Sequence, residues 1–117
     1  ENYNIDFMRI TESFLISFKE DPDRVYSVLE EACDMLNEEL RDSLKRDEFG
    51  NPTEPFQIHG ITALNKINRG VEFTVKGMVK DDDYFSASLA VRRVLVRQLY
   101  QNNVQMLEEA VRIERTQ

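Results

Sequence analysis

His59, Cys33 and the run Asp81-Asp82-Asp83 are the residues whose types suit chemistry, and their spacing argues against most of it. A metal centre needs several ligands converging on one point. His59 is the single histidine and Cys33 the single cysteine, so no Cys/His cluster exists. Three adjacent aspartates could hold a hard cation, but they lack the alternating ligand spacing and distal glutamate of an EF-hand loop. A turn that supplies helix-capping oxygens is the stronger reading of that run. Ser13, Ser17, Ser86 and Ser88 have only His59 to act as a base, too little for a nucleophile–base pair. Gly50, Gly60, Gly70 and Gly77 stand singly and build no phosphate loop. The chain is therefore read as a non-enzyme, with no catalytic, cofactor-binding or metal-ligating residue.

The elements around these residues follow from periodicity. Val71, Phe73, Val75 and Val79 alternate with Glu72, Thr74, Lys76 and Lys80, with Gly77 in register, as a half-buried strand does. Phe14, Ile16 and Phe18 alternate with Ser13, Leu15, Ser17 and Lys19 and predict a strand from about Ile10 to Phe18, with residues 1–7 leading in. Phe7, Ile10 and Phe14 also fit a helix face, but the tight alternation and the stop signal after it favour a strand. That signal is Asp21-Pro22-Asp23: Asp21 as cap, Pro22 at the first helical position, Asp23 at the positive end of the dipole. Val25, Val28, Leu29, Ala32, Leu36 and Leu40 then recur at helical spacing, and the helix is expected to fray between Ser43 and Asp47. Gly50-Asn51-Pro52 and Pro55 mark a loop.

Phe56 to Asn65 reads as a second strand with imperfect alternation, to which Ile58, Ile61 and Leu64 contribute the apolar side. Asn68-Arg69-Gly70 is a hairpin turn in which Gly70 is free to take positive φ. A second helix begins near Tyr84. Ala87, Val91, Val94, Leu95, Gln98 and Leu99 form one face, and Arg92, Arg93, Arg97 and Gln101 cover much of the other. Asn102-Asn103 suits the C-terminal cap. Residues 104–117 fit either a continued helix or a strand. The order strand, helix, strand, strand, helix predicts an α+β, ferredoxin-like split βαββα sheet with two helices on one face. One domain spans residues 1–117, with an α/β core over about 9–103 and a tail over 104–117.

The 117 residues suffice for one core. Apolar residues make up 41% and charged ones 32%, which marks a globular chain. The net charge of −7 opposes nucleic-acid binding, since phosphate neutralisation needs a basic surface. Phe73 lies on the apolar side of its strand, as a core residue rather than an RNA-stacking platform. Lys19-Glu20-Asp21 after the first strand offers no acylphosphatase-like phosphate loop. Cys33 reads as core filler in a reducing, cytosol-facing compartment. No apolar run is long enough to span a bilayer, and no signal peptide is visible. Glu1 is not a natural initiator, so a fragment or processed product is expected, and an upstream membrane region is compatible with that. Helix 1 reads as acidic outside and helix 2 as basic. Such polarity permits head-to-tail association that closes into a ring, although two solvated faces are the more economical reading of charge alone.

The order and spacing resemble the cytoplasmic C-terminal α/β domain of MscS-type small-conductance mechanosensitive channels. The matching text begins at Phe14-Leu15-Ile16-Ser17-Phe18-Lys19-Glu20-Asp21-Pro22-Asp23-Arg24-Val25 and continues through Ala63-Leu64-Asn65-Lys66-Ile67 and the 71–79 strand. Asp83-Tyr84 leads into the helix over 85–102, and Asn103-Val104-Gln105-Met106 stands where the family has a glycine and then a short strand. The likeness runs over about residues 9–115. Two features depart from it: Leu107-Glu108-Glu109 replaces a proline-rich stretch, and the loop over 47–55 is long. The resemblance implies one wall segment of a ring-shaped vestibule, usually heptameric, on the cytoplasmic side of the inner membrane. Copies of itself are the implied partners, with permeating ions and small solutes and an upstream transmembrane region that lines a tension-gated pore. It implies no catalytic residues, and an acidic excess at Glu30, Glu31, Glu38 and Glu39 that biases ions. The rival readings are a ligand-sensing ferredoxin-like domain, such as the cytosolic end of a cation-efflux transporter, and a stand-alone interaction module.

Overall fold

A computed structural model describes residues 5–67 and 69–107. Three strands and two long helices occur in the predicted order: β1 (Phe7–Ser17), α1 (Pro22–Glu39), β2 (Gln57–Asn65), β3 (Gly70–Lys80) and α2 (Tyr84–Gln101). Short 3₁₀ turns at Arg41–Ser43 and Asp81–Asp83 follow α1 and β3. The sheet order is β1-β3-β2, antiparallel throughout, with β3 central. That is the split βαβ arrangement, in which the strands flanking the first helix leave room for a third between them.

β3 is the most regular element because its sequence alternates cleanly. Val71, Phe73, Val75, Gly77 and Val79 face the helices, paired with Ile16, Phe14, Glu12, Ile10 and Met8 of β1. Gly77 is needed by packing: a Cβ there would run into the ring of Phe56. Phe56 is held in place by Asn37 of α1. The Asn37 side-chain amide donates to the Phe56 carbonyl (3.0 Å), and its oxygen accepts from the Phe56 N–H (2.7 Å). On the opposite face hydroxyls run across the sheet, Ser13 to Thr74 (2.8 Å) and Thr74 to Thr62 (2.7 Å), which lets Thr74 be buried without losing partners.

β2 explains its own poor alternation. Two bulges, between Ile58 and Gly60 and between Ile61 and Ala63, each insert a residue. Ile58, Ile61 and Leu64, three apart in sequence, therefore oppose Val75, Phe73 and Val71, two apart on β3. Gly60 carries φ +103°, and a side chain there would also crowd the Tyr26 hydroxyl. All three apolar residues reach the helix side, but α1 begins too late to cover the far end, and Ile61 and Leu64 stay 45% and 58% exposed.

Several expectations are corrected. β1 starts earlier than Ile10 and ends at Ser17, leaving Phe18 half exposed in the following turn. Helix α1 stops at Glu39 rather than fraying past Ser43; Leu40 caps it, and Leu44 is drawn into a bridge with Val79 and buried. Positive φ in the β2–β3 turn belongs to Arg69 (58°), not Gly70, which sits in the strand against the Ile16 carbonyl. The aspartate run does form the turn before α2, but no side chain caps the helix. Asp83, at φ −99° and ψ 4°, lacks the extended backbone that aims a capping oxygen, and its carboxylate accepts from Ser43 Oγ instead (2.7 Å). Asp21 is extended and does cap α1, accepting from the Asp23 N–H at 3.0 Å.

At the end of α2, Asn103 takes the left-handed conformation (φ 54°) and turns the chain back. Val104 is buried, and residues 105–107 run antiparallel to the end of β1. Ser17 N–H donates to the Gln105 carbonyl and Leu107 N–H to the Leu15 carbonyl. The described part of the tail thus meets β1 through a single bridge, Ile16 to Met106; the strand-or-helix question for 108–117 lies outside the described residues.

Candidate functional site

The residues that suited chemistry are scattered. His59 is exposed in a bulge of β2, the aspartates lie beyond the far end of β3, and Cys33 is buried in the middle of α1. Burial pushes the Cys33 thiol up to about 12, helped by the charges of Asp34 and Glu30, so it is held as an inert thiol. Among the described residues no group of three His, Cys, Asp or Glu side chains converges as metal ligands.

The informative surface is the outer face of α2. Its inward face is built from Ala87, Val91, Val94, Leu95, Gln98 and Leu99, all buried, as periodicity predicts. Gln98 is satisfied by the Val28 carbonyl and the Glu31 carboxylate of α1. Phe85, Leu89, Val96 and Tyr100 recur at spacings of four, seven and four, which places them on one narrow arc roughly opposite the core. They are 74%, 50%, 65% and 81% exposed. Sequence reasoning assigned this face to arginines and missed the stripe. The available signal was the set of apolar positions left over once the core face had been assigned. The arginines border the stripe: Arg92 reaches Glu12 of β1 (3.0 Å) and Arg93 reaches Glu39 of α1. Both are tied down sideways, so α2 is less basic outside than its composition implies. Among the described residues Arg97 has no ion-pair partner.

The acidic face of α1 is likewise partly neutralised. Glu38 pairs with Arg41, Glu39 with Arg93, and Glu31 accepts from Gln98. Glu30 and Asp34 remain beside an open cleft of about 570 Å³ that also borders Tyr26 and Gln57.

A second apolar surface lies where α1 fails to cover β2. Phe18, Pro22, Val25 and Ile61 wall a small groove of about 130 Å³ whose floor is Val71 and Phe73. Asp21 and Asp23 adjoin it along the chain, exposed at the start of α1. Glu20 ties this corner together, accepting from the Gln105 N–H (2.5 Å) and from Arg24 (2.7 Å). Those two partners, the Gln105 N–H first, hold its carboxyl below the usual carboxylate range. The hairpin beyond it exposes Leu64 and Ile67.

The chain matches the solved structure of Helicobacter pylori MscS in its closed state, with a TM-score of 0.61 over 95% of its own length at 18% identity. The fold is MscS-like. The chain spans 39% of the length of that protein chain. No family model matches the sequence. The fold bears out the mixed α+β expectation and the likeness drawn from the pattern of residues. None of the described helices is long and apolar enough to cross a membrane.

Proposed function

We propose that this chain is the cytoplasmic vestibule domain of an MscS-type mechanosensitive channel. It assembles with copies of itself into a ring below a membrane pore, supports that cage and filters the ions and small solutes that pass. The observation that carries this reading is the fold match to an MscS channel over 95% of the chain. The exposed apolar stripe on α2 agrees with it, because a lone surface helix ordinarily turns such residues away from water and a subunit contact covers them. The pore belongs to the rest of the full-length protein, upstream in sequence and embedded in the membrane. The domain performs no covalent chemistry in this reading.

Patch recording of the full-length protein under suction, in cells lacking other tension-gated channels, tests it. Suction-activated current is the expected result, together with survival of osmotic downshock. A full-length protein that inserts in the membrane and passes no current under suction overturns the reading. Within it, neutralising Glu30, Glu31, Glu38 and Glu39 together shifts the reversal potential; an unchanged potential removes the acidic face from ion selection.

A further inference from the structure

Two features of the surface are complementary in shape and charge. The groove of about 130 Å³ at the start of α1 is mostly apolar, with Ser17 and Glu20 as the polar residues of its lining. Cavities of roughly 150 Å³ lined by such side chains accept a benzene ring. The α2 stripe ends in Tyr100, an aromatic ring that is 81% exposed. Charge matches in the same sense. Arg97, one turn before Tyr100, has no ion-pair partner among the described residues, while Asp21 and Asp23 stand exposed beside Pro22 at the groove.

We infer that the stripe of one copy docks in the groove of the next, with Tyr100 filling the pocket between Phe18 and Ile61 and Arg97 meeting Asp21 and Asp23. The occupant is a second copy of this chain because the one sequence carries both halves of the contact. Knob and socket are different surfaces of the chain, so the contact is heterologous, and when it repeats head-to-tail each copy is left with one free half until a ring closes. A ring aromatic in a desolvated pocket flanked by a rim ion pair is the usual anatomy of an interface anchor. This inference rests on the assembly proposed above and names the surfaces that form it.

Cross-linking in membranes, on the full-length protein, tests the contact. Chains carrying both Leu64→Cys and Val96→Cys, exposed positions that flank the pocket and Tyr100 and leave both intact, are treated with a short bis-maleimide. The expected product is a ladder extending past the dimer, with neither single variant giving one. A dimer from Val96→Cys alone would mean that stripes pack on each other, which overturns the inference, as does a double variant that cross-links no more than the singles. Arg97→Glu should weaken the ladder roughly tenfold or more, and adding Asp23→Lys should restore it; failure of that rescue removes the ion pair. Suction recordings on the unmodified protein keep the two readings apart. Current without a ladder sinks this contact and leaves the channel, and a ladder without current does the reverse.

Discussion

The two helices are equal in length, 18 residues each, and pack on the same face of one sheet, yet they meet their surroundings differently. Helix α1 buries Val25, Val28, Leu29, Ala32, Cys33 and Leu36, and turns Glu30, Glu31, Asp34 and Glu38 outward, as a helix bounded by water does. Helix α2 buries an equally apolar face and then presents a second one in Phe85, Leu89, Val96 and Tyr100. Folding explains the first face of each. It does not explain the second face of α2, because an isolated domain gains nothing from keeping those side chains wet. The difference separates what the core requires from what the proposed assembly would require.

The largest effects test whether the inward faces are equivalent. Leu29→Ala and Leu95→Ala should each lower stability by about 2–5 kcal/mol in urea titrations, since both residues are buried in the shared core. A loss below about 1 kcal/mol at Leu95 alone would mean that α2 is held loosely and that its outer stripe helps to anchor it. The outward faces should then diverge. Leu89→Glu is expected to change stability by no more than about 0.5 kcal/mol while reducing self-association in sedimentation velocity; Glu30→Lys on α1 should leave association as it was. Equal responses would erase the contrast.

The helix starts give a smaller, sharper contrast. Asp21→Ala should cost about 1 kcal/mol through the lost cap of α1. Asp83→Ala should cost about as much as Ser43→Ala, roughly 0.5–1.5 kcal/mol, because the two lose the same hydrogen bond. A double-mutant cycle without coupling would return Asp83 to a capping role. The smallest effect is pH-dependent. The Glu20 carboxyl is lowered in the folded chain, so its contribution is complete above the ordinary carboxylate value and fades as pH falls through the depressed one. Glu20→Gln should therefore lower Tm at neutral pH and matter progressively less towards acid; a difference that grows with acidity would contradict this.

Most of the architecture was legible in the residues. Asp21-Pro22 and Tyr84 marked the helix starts, β3 announced itself by alternation, and Asn102-Asn103 marked the turn out of α2. Several of the errors share a cause: they depended on a neighbour distant in sequence. Whether Asp83 caps α2 is decided by Ser43, forty residues away. The pairing of β2 is decided by bulges that only β3 makes visible, because a spacing of three matches neither strand nor helix until its partner is known. The α2 stripe was hidden by composition. Arginines dominate the outer half of the helix on paper, but two of them fold sideways onto Glu12 and Glu39 and uncover the apolar residues between.

The few residues after Asn103 bear on how the domain behaves once it is made. By lying along the last part of β1 they occupy backbone groups that would otherwise be free to recruit a stranger's strand. A protein cut back to the end of α2 would keep both helices and all three long strands, and would expose a sticky border on its sheet. Its failure would come as clumping in the tube as well as earlier melting, since buried Val104 and the Gln105 bond to Glu20 would go with it.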